Sequence, residues 1–158
     1  MKKLIQQDLN NALKAKQELG VSVLRGILAV IQAKEKEKIY QLNKLNKNNE
    51  KAELTKEEIL NLIFSESKKR EESIQEFKKG NRQDLVEKEE EEILILKKYL
   101  PEPLSELELK EIIKKAIENT KATQMQDIKK VIAEVMPQVK SRARGDQVGK
   151  IVKEMLCP

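Results

Sequence analysis

Residues 23–32 have the sequence Val-Leu-Arg-Gly-Ile-Leu-Ala-Val-Ile-Gln, in which apolar side chains recur with the period of an α-helix. Apolar residues at positions i, i+3, i+4 and i+7 share one helical face. Here they are Leu24, Ile27, Leu28 and Ile31. The pattern predicts an amphipathic helix that ends near Leu45. The three Asn residues within 46–49 follow it and indicate a mobile connection, because Asn competes with helix for its own backbone.

Helical spacing also precedes and follows this stretch. The first helix is predicted from the stripe Leu4, Ile5, Leu9, Ala12 and Leu13. Gly20 is predicted to mark the break after it. Thr55 and Glu58 have the spacing of a capping box, which opens a third helix. Gly80 is predicted to close that helix at its C′ position. A fourth helix is predicted over residues 83–99.

Leu100-Pro101-Glu102-Pro103-Leu104 interrupts the helical pattern. A proline biases the residue before it away from helical angles, so residues 100–104 are predicted to form a hinge. Ser105 and Glu108 then have the spacing of a second capping box. Three shorter amphipathic helices follow, and Asp146 is predicted to cap the last one.

The predicted fold class is therefore all-α. Four helices form an N-terminal subdomain over residues 1–99, and three short helices form a C-terminal subdomain over residues 105–158. Three such helices can bury one another's apolar faces as a minimal bundle.

Composition limits the compartment and the partners of the chain. The net charge is +5, with 32 basic and 27 acidic residues, which permits phosphate contact without requiring it. The single cysteine, Cys157, excludes an intramolecular disulfide and fits a reducing compartment. No apolar run is long enough for a bilayer, and Lys2 and Lys3 precede no signal-peptide core. We therefore predict a cytoplasmic protein without a membrane partner.

The sequence lacks the residues that most catalytic mechanisms require. The chain has no His, which is the commonest general base and metal ligand. Gly145 and Gly149 stand without the rest of a phosphate loop, and no Ser or Cys has an evident base. Paired acids such as Glu89 and Glu92 fit solvated or ion-paired carboxylates better than an acid–base pair. We predict no catalytic residue, no cofactor and no metal site.

Arg70 falls on the apolar stripe of the third helix, together with Ser67. A buried Arg needs a partner, because an uncompensated ion loses several kcal/mol on leaving water. The four consecutive acids at 89–92 must place at least one carboxylate toward the core. We therefore predict an inter-helix ion pair of Arg70 with Glu89 or Glu92, in preference to a ligand site.

A basic segment, Pro137-Gln-Val-Lys-Ser-Arg-Ala-Arg-Gly145, carries three cations at alternate positions between two predicted helices. With the lysines nearby, the candidate nucleic-acid-binding residues are Lys129, Lys130, Lys140, Arg142, Arg144 and Lys150. A basic loop beside helix N-termini can hold phosphate through side-chain charge and unpaired amides. A solvated turn accounts for the same residues equally well.

Several short segments occur in a fixed order along nearly the whole chain. They are Asp8, Ala12-Leu-Lys-Ala-Lys16, Val23-Leu-Arg25, Lys69-Arg-Glu-Glu-Ser-Ile-Gln-Glu-Phe77, Asn81-Arg-Gln-Asp-Leu85, Glu87-Lys-Glu89, Tyr99-Leu-Pro101, Met136-Pro-Gln-Val-Lys140 and Arg142-Ala143. With these segments the chain resembles the GatB/YqeY family. Its free-standing members are similar to the C-terminal tail of the B subunit of the glutamine-dependent aminoacyl-tRNA amidotransferase.

The resemblance implies a four-helix and a three-helix subdomain. It also implies tRNA contact, which the similar tail makes in the amidotransferase, while amide transfer occurs in other domains. The resemblance further implies a family-level label of carbon–nitrogen ligase activity with glutamine as amido-N-donor. The chain departs from the family pattern at Lys129, Ala133 and Ser141, where Gly is usual, and at Arg144, where an acid is common. The segment 36–52 is longer than usual.

We predict a non-catalytic helical module that binds tRNA or another RNA, beside the translation or amidotransferase machinery. The alternative is a protein–protein adaptor whose helical groove docks another chain without nucleic acid. A third possibility, glutamine-dependent amide transfer by this chain alone, lacks the residues it would need. Salt separates the first two, because phosphate binding weakens steeply as salt rises.

Overall fold

The computed structural model describes residues 1–45 and 52–156, and this part of the chain contains helices and no β-strand. The seven α-helices are α1 (Lys2–Lys14), α2 (Glu18–Lys44), α3 (Lys56–Lys79), α4 (Gln83–Lys97), α5 (Glu106–Thr120), α6 (Ile128–Val139) and α7 (Gly145–Leu156). Short 3-10 turns occupy Met125–Asp127 and Lys140–Arg142. The all-α class and the predicted number of helices are confirmed. No helix in this part of the chain is both long and apolar enough to cross a membrane.

The chain forms two compact units, Met1–Leu100 and Pro101–Pro158. The first contains α1 to α4 and the second contains α5 to α7. That residues 100–104 act as a hinge stays a prediction. The predicted connection at Asn46–Asn49 and the single Cys157 lie outside the described residues.

The core of the first unit is built around α2. The four apolar residues that predicted this helix are all buried, and they pack with the buried faces of α1, α3 and α4. The cluster contains Ile5, Leu9, Ala12, Val23, Leu24, Ile27, Leu28, Ile31, Ile59, Ile63 and Leu96. Each fully buried aliphatic side chain contributes about 1.5–3 kcal/mol to folding. A helix of low aromatic content is therefore held by many small apolar contacts.

Arg70 lies between α3 and α4, beside a smaller cluster of Ile74, Val86 and Ile93. Its Nη2 atom is 2.8 Å from Oε2 of Glu92, and its Nε atom is 3.9 Å from Oε2 of Glu89. The side chains of Arg70 and Glu92 are 22% and 11% exposed. The predicted inter-helix ion pair is confirmed.

One predicted helix break is wrong, and another is confirmed. Gly20 lies inside α2, and the break falls at Lys16, whose φ is 55°. Helix α3 ends at Gly80 as predicted, with Gly80 as its C-cap at φ −84°, and the left-handed conformation falls on the next residue, Asn81, at φ 52°. Packing of α1 against α2 fixes the first turn, so Lys16 accepts a conformation that costs about 1–2 kcal/mol. Asn bears such a conformation more readily than other residues with a side chain.

The predicted Pro137–Gly145 loop is largely helical, and Asp146 does not cap α7 from outside. Helix α6 continues through Pro137 to Val139, and α7 begins at Gly145, one residue before Asp146. Pro137 is exposed, so water can bind the carbonyl group that its missing N–H leaves without a partner. Burial of Val135 and Val139 holds the other face of α6 in place.

The core of the second unit consists of short aliphatic side chains. All three helices contribute to it: Leu109, Ile113 and Ala116 from α5, Val131, Val135 and Val139 from α6, and Val148, Ile151 and Val152 from α7. A Cβ on Gly145 would lie 3.9 Å from Met136, and one on Gly149 would lie 4.0 Å from Ile132. Gly145 therefore packs beside Met136 and Gly149 beside Ile132, which shows that α6 and α7 are antiparallel.

Candidate nucleic-acid interface

The segment that contains α6, α7 and the turn between them is basic. Residues 128–156 contain seven Lys and Arg residues and three acids, a net charge of +4. Residues 1–45 carry a further net charge of +5, and residues 46–127 carry −4. Within the second unit, this segment is therefore the surface on which a polyanion would find the most favourable potential.

Arg142 holds the start of the second unit against this segment. Its Nε atom donates to the carbonyl oxygen of Glu102 at 2.9 Å, and its own carbonyl oxygen accepts from the Leu104 N–H at 2.9 Å. Its Nη2 atom also lies 3.9 Å from Oε1 of Glu108. Arg142 therefore has a structural role that the sequence did not indicate.

Arg144 is bound to an acid of its own segment. Its Nε and Nη2 atoms donate to the two carboxylate oxygens of Asp146 at 3.1 and 2.9 Å. This guanidinium is the main reason that the pKa of Asp146 is lowered. The Asp146 carboxylate stands in the first turn of α7, where a phosphate was expected to meet free amides. The N-terminus of α7 thus already has an anion beside it.

Of the lysines on α6, Lys130 is paired and Lys129 faces solvent. Nζ of Lys130 lies 2.9 Å from Oδ1 of Asp127, and this hydrogen bond is the main cause of the lowered pKa of Asp127. Lys129 is exposed and forms no ion pair within residues 1–45 and 52–156. Lys129 is therefore available to a phosphate at no cost in internal contacts.

Lys140 and Lys150 are also exposed. Lys140 follows the last residue of α6 and has a positive φ of 39°. Lys150 is on α7 and lies near α5: the pKa of Glu106 is lowered mainly by the hydrogen bond from Lys110, with a smaller contribution from Lys150. Lys150 and Arg142 are therefore both near acids of α5.

The six candidate residues are spread over α6, α7 and the turn between them. Lys140, Arg142 and Arg144 lie in that turn. Lys129 precedes Lys140 by eleven residues, about 16 Å along a helix axis. Cations spaced at this distance suit successive phosphates of a nucleic-acid backbone better than a single small anion.

A second contact that the sequence did not indicate joins Tyr99 to Asp8 in the first unit. The Tyr99 hydroxyl donates to Oδ2 of Asp8 at 2.5 Å. Burial and this hydrogen bond raise the pKa of Tyr99 well above its usual range. Ninety-one positions separate the two residues, so no local pattern could have paired them.

We also searched the described residues for a metal site. Within 1–45 and 52–156, no three His, Cys, Asp or Glu side chains come together in a way that could hold an ion. What the fold presents is a helical module with a basic surface.

The chain belongs to the YqeY-like protein family, whose sequence model matches residues 2–156. The resemblance inferred from the ordered segments is thereby confirmed. The match includes both compact units, so the family relation covers the whole described fold.

Several curated fungal relatives are named altered inheritance of mitochondria protein 41, mitochondrial. The chain is 29% identical to that of Pyrenophora tritici-repentis, over 96% of this chain and 78% of the relative. It is 35% identical to that of Lachancea thermotolerans, over 61% and 46% of the two chains. It is 36% identical to that of Kluyveromyces lactis, over 60% and 45%. The match thus spans less than half the length of the two yeast relatives.

Proposed function

We propose that this protein is a non-catalytic RNA-binding module that contacts tRNA through the basic surface of α6 and α7. The observation that carries the proposal is the net charge of +4 on residues 128–156, which form the basic part of the second unit. Contacts to phosphates supply most of the affinity in nucleic-acid binding that does not depend on sequence. The similarity to the amidotransferase tail supports tRNA as the nucleic acid.

Within this surface, we assign different tasks to the lysines and the arginines. Lys129, Lys140 and Lys150 are exposed and supply phosphate contacts. Arg142 and Arg144 shape the turn through their bonds to Glu102 and Asp146. A test that removes the arginines would therefore change the fold of the surface together with its charge.

Amide transfer is not part of the proposed function. Glutamine hydrolysis and amide transfer need an activated nucleophile and a site for ATP, and the sequence has no His and no phosphate loop. We expect purified protein with glutamine, ATP and mischarged tRNA to give no amide product above background. Turnover that a single substitution in this chain abolishes would contradict the proposal.

The compartment in which the protein binds tRNA is either the cytoplasm or the mitochondrion. The sequence predicts a cytoplasmic protein, whereas the names of the fungal relatives place those proteins in mitochondria. Both compartments contain tRNA, so the proposed binding does not depend on the choice. Imaging of the tagged chain in its native cell distinguishes them.

The experiment compares two triple variants in tRNA binding, measured by fluorescence anisotropy. Lys129→Ala/Lys140→Ala/Lys150→Ala removes three exposed lysines of α6, α7 and the turn between them. The control removes three exposed lysines of the first unit, each of which pairs with a Glu three residues away: Lys34, Lys69 and Lys79. Both variants lose three positive charges. We expect the first to weaken binding at least tenfold, about 1.4 kcal/mol, and the control less than threefold.

Equal losses in both variants would indicate diffuse attraction and contradict a site on α6 and α7. No tRNA binding by the wild type at low salt would favour the adaptor function instead. One observation speaks for that alternative: Leu94 is 63% exposed beside a groove between α3 and α4, whose lining also includes Glu71, Lys78, Glu90 and Lys97. Burial of the Leu94 side chain by a partner would contribute affinity that salt does not weaken.

A further inference from the structure

The turn between α1 and α2 forms one end of an antiparallel helix hairpin. Lys2 pairs with Glu35 at one end, and a Cβ on Gly20 would lie 3.6 Å from the Cβ of Ala12 at the other. An open cleft of about 450 Å³ lies at the turn. It is lined by Leu13, Lys16, Glu18, Val21, Ser22 and Arg25. Its volume is in the range of small-molecule sites, about 300–1,000 Å³.

Two of the polar side chains in this cleft, Lys16 and Arg25, are cationic. Lys16 and Arg25 form no ion pair and no side-chain hydrogen bond within residues 1–45 and 52–156. This differs from Lys34, Lys38 and Arg70 of the same unit, each of which contacts a carboxylate. Arg25 presents a planar set of donors that fits a phosphate in two-point contact.

One acid lines the cleft, and its position leaves the cationic end open. Glu18 lies in the first turn of α2, where a carboxylate is favoured by the helix dipole. Arg25 follows it by seven residues, about 10 Å along the helix axis. Ser22 stands one turn before Arg25 on the same face, so its hydroxyl points to the same region. An anion beside Ser22 and Arg25 is therefore well separated from Glu18.

The lining of the cleft also includes apolar side chains. Leu13 is 44% exposed, and Val21 is partly buried against the core cluster. A bare phosphate would leave these side chains in contact with water, whereas a sugar or base attached to the phosphate would cover them. The lining thus combines phosphate-binding donors with an apolar wall.

We propose that this cleft binds a nucleotide, with the phosphate on Ser22 and Arg25, the charge of Lys16 adding to the positive potential of the cleft, and the sugar or base against Leu13 and Val21. The nucleotide is either free or part of an RNA chain. This site belongs to the first compact unit, so it goes beyond the proposed contact on α6 and α7 and does not depend on it.

The test titrates the full-length, ¹⁵N-labelled protein with AMP and, separately, with a 5′-phosphorylated RNA tetranucleotide. We expect amide shifts confined to residues around 13–25 within the first unit. Lys16→Ala/Arg25→Gln should weaken both probes at least fivefold. Arg25→Lys should weaken them less, because it keeps the charge and loses the planar contact. Lys69→Ala/Lys79→Ala is the control and should leave both affinities within twofold.

The two probes identify the source of the nucleotide. Binding of the tetranucleotide at least tenfold tighter than AMP indicates RNA, and equal binding indicates a free nucleotide. The proposal is overturned if neither probe shifts these amides at millimolar concentration, if the control loses as much, or if adenosine or a Glu-rich peptide binds as well as AMP. The cleft variant keeps all candidate residues of α6 and α7, so the outcome is separable from that of the tRNA experiment.

Discussion

In residues Met1–Leu100, Arg70 and Glu92 meet inside the contact of α3 with α4, whereas no charged side chain is buried in the described part of Pro101–Pro158. The first unit has helices of 27 and 24 residues, and its core is divided between two clusters. The second has helices of at most 15 residues around one aliphatic cluster. Charge thus fixes the packing of long helices in the first unit and remains at the surface of the second.

This difference between the two units separates charged residues that stabilise the fold from charged residues that are exposed and can contact a partner. Arg70 of α3 is paired with an acid inside a helix contact, and its loss should alter stability. The lysines on α6 and α7 are exposed, and their loss should alter binding, because exposed charges contribute little to folding. The following predictions test this division, from the largest expected effect to the smallest.

Arg70→Ala should have the largest effect on stability. It leaves Glu92 buried without its partner, which costs on the order of 3 kcal/mol. Chemical denaturation followed by circular dichroism measures the loss. Stability within 0.5 kcal/mol of the wild type, a margin typical of surface substitutions, would show that the pair is not structural.

A second variant separates the loss of the pair from the burial of a lone charge. Arg70→Met/Glu92→Leu replaces both ions by apolar side chains of similar length. Such replacements are often neutral or stabilising, so we expect the double variant to recover most of the stability lost in Arg70→Ala. Failure to recover would mean that Arg70 acts through its contact with Glu89 as well.

Tyr99→Phe should destabilise the first unit by about 1.5 kcal/mol, because it removes a hydrogen bond to the ionised carboxyl group of Asp8. Asp8→Asn is the matched variant, since it keeps the shape and removes the charge. Thermal unfolding measures both. An unchanged midpoint in Tyr99→Phe would contradict a stabilising role for this contact.

The same contact predicts a dependence on alkaline pH. The pKa of Tyr99 is raised in the folded state, so its contribution is complete below the unfolded value of about 10 and is lost as pH rises above it. The stability difference between wild type and Tyr99→Phe should therefore shrink from pH 9 to pH 11. Other groups cancel in that difference, and a constant difference would count against the assignment.

The two capping boxes should show the smallest effects, of similar size in both units. Thr55 and Ser105 each accept from the backbone N–H of the Glu three residues later, as the sequence predicted. Thr55→Ala and Ser105→Ala should each cost about 1 kcal/mol. Native-state hydrogen exchange should place the first loss in α3 and the second in α5. Losses spread evenly over both units would contradict this assignment.

Most of the fold followed from local pattern. Helical spacing and capping residues depend on neighbours within four positions, so α2, both capping boxes and the stripe that contains Arg70 were readable in the sequence. Glu92 could be inferred because four consecutive acids must turn one toward the core. Local pattern did not place the break between α1 and α2 at Lys16, because packing of whole helices decides where a turn begins.

Less of the candidate interface could be predicted from the sequence. Arg142 binds a backbone carbonyl 40 positions away, and a backbone acceptor has no side-chain type to reveal it. Asp146 was read as a cap from its residue type, whereas its carboxylate pairs with Arg144. The basic segment could be identified from the sequence. The sequence could not distinguish Arg142 and Arg144, which bind groups of the fold, from the exposed lysines of α6, α7 and the turn.

The salt dependence of tRNA binding tests the proposed interface most directly. Each phosphate contact contributes about 0.7 to the slope of log affinity against log salt for a single strand. We expect the slope of Lys129→Ala/Lys140→Ala/Lys150→Ala to be smaller than that of the wild type by about 2. The variant that lacks Lys34, Lys69 and Lys79 should keep the wild-type slope. Equal slopes in all three proteins, or wild-type binding that salt does not weaken, would contradict an RNA-binding surface on α6 and α7.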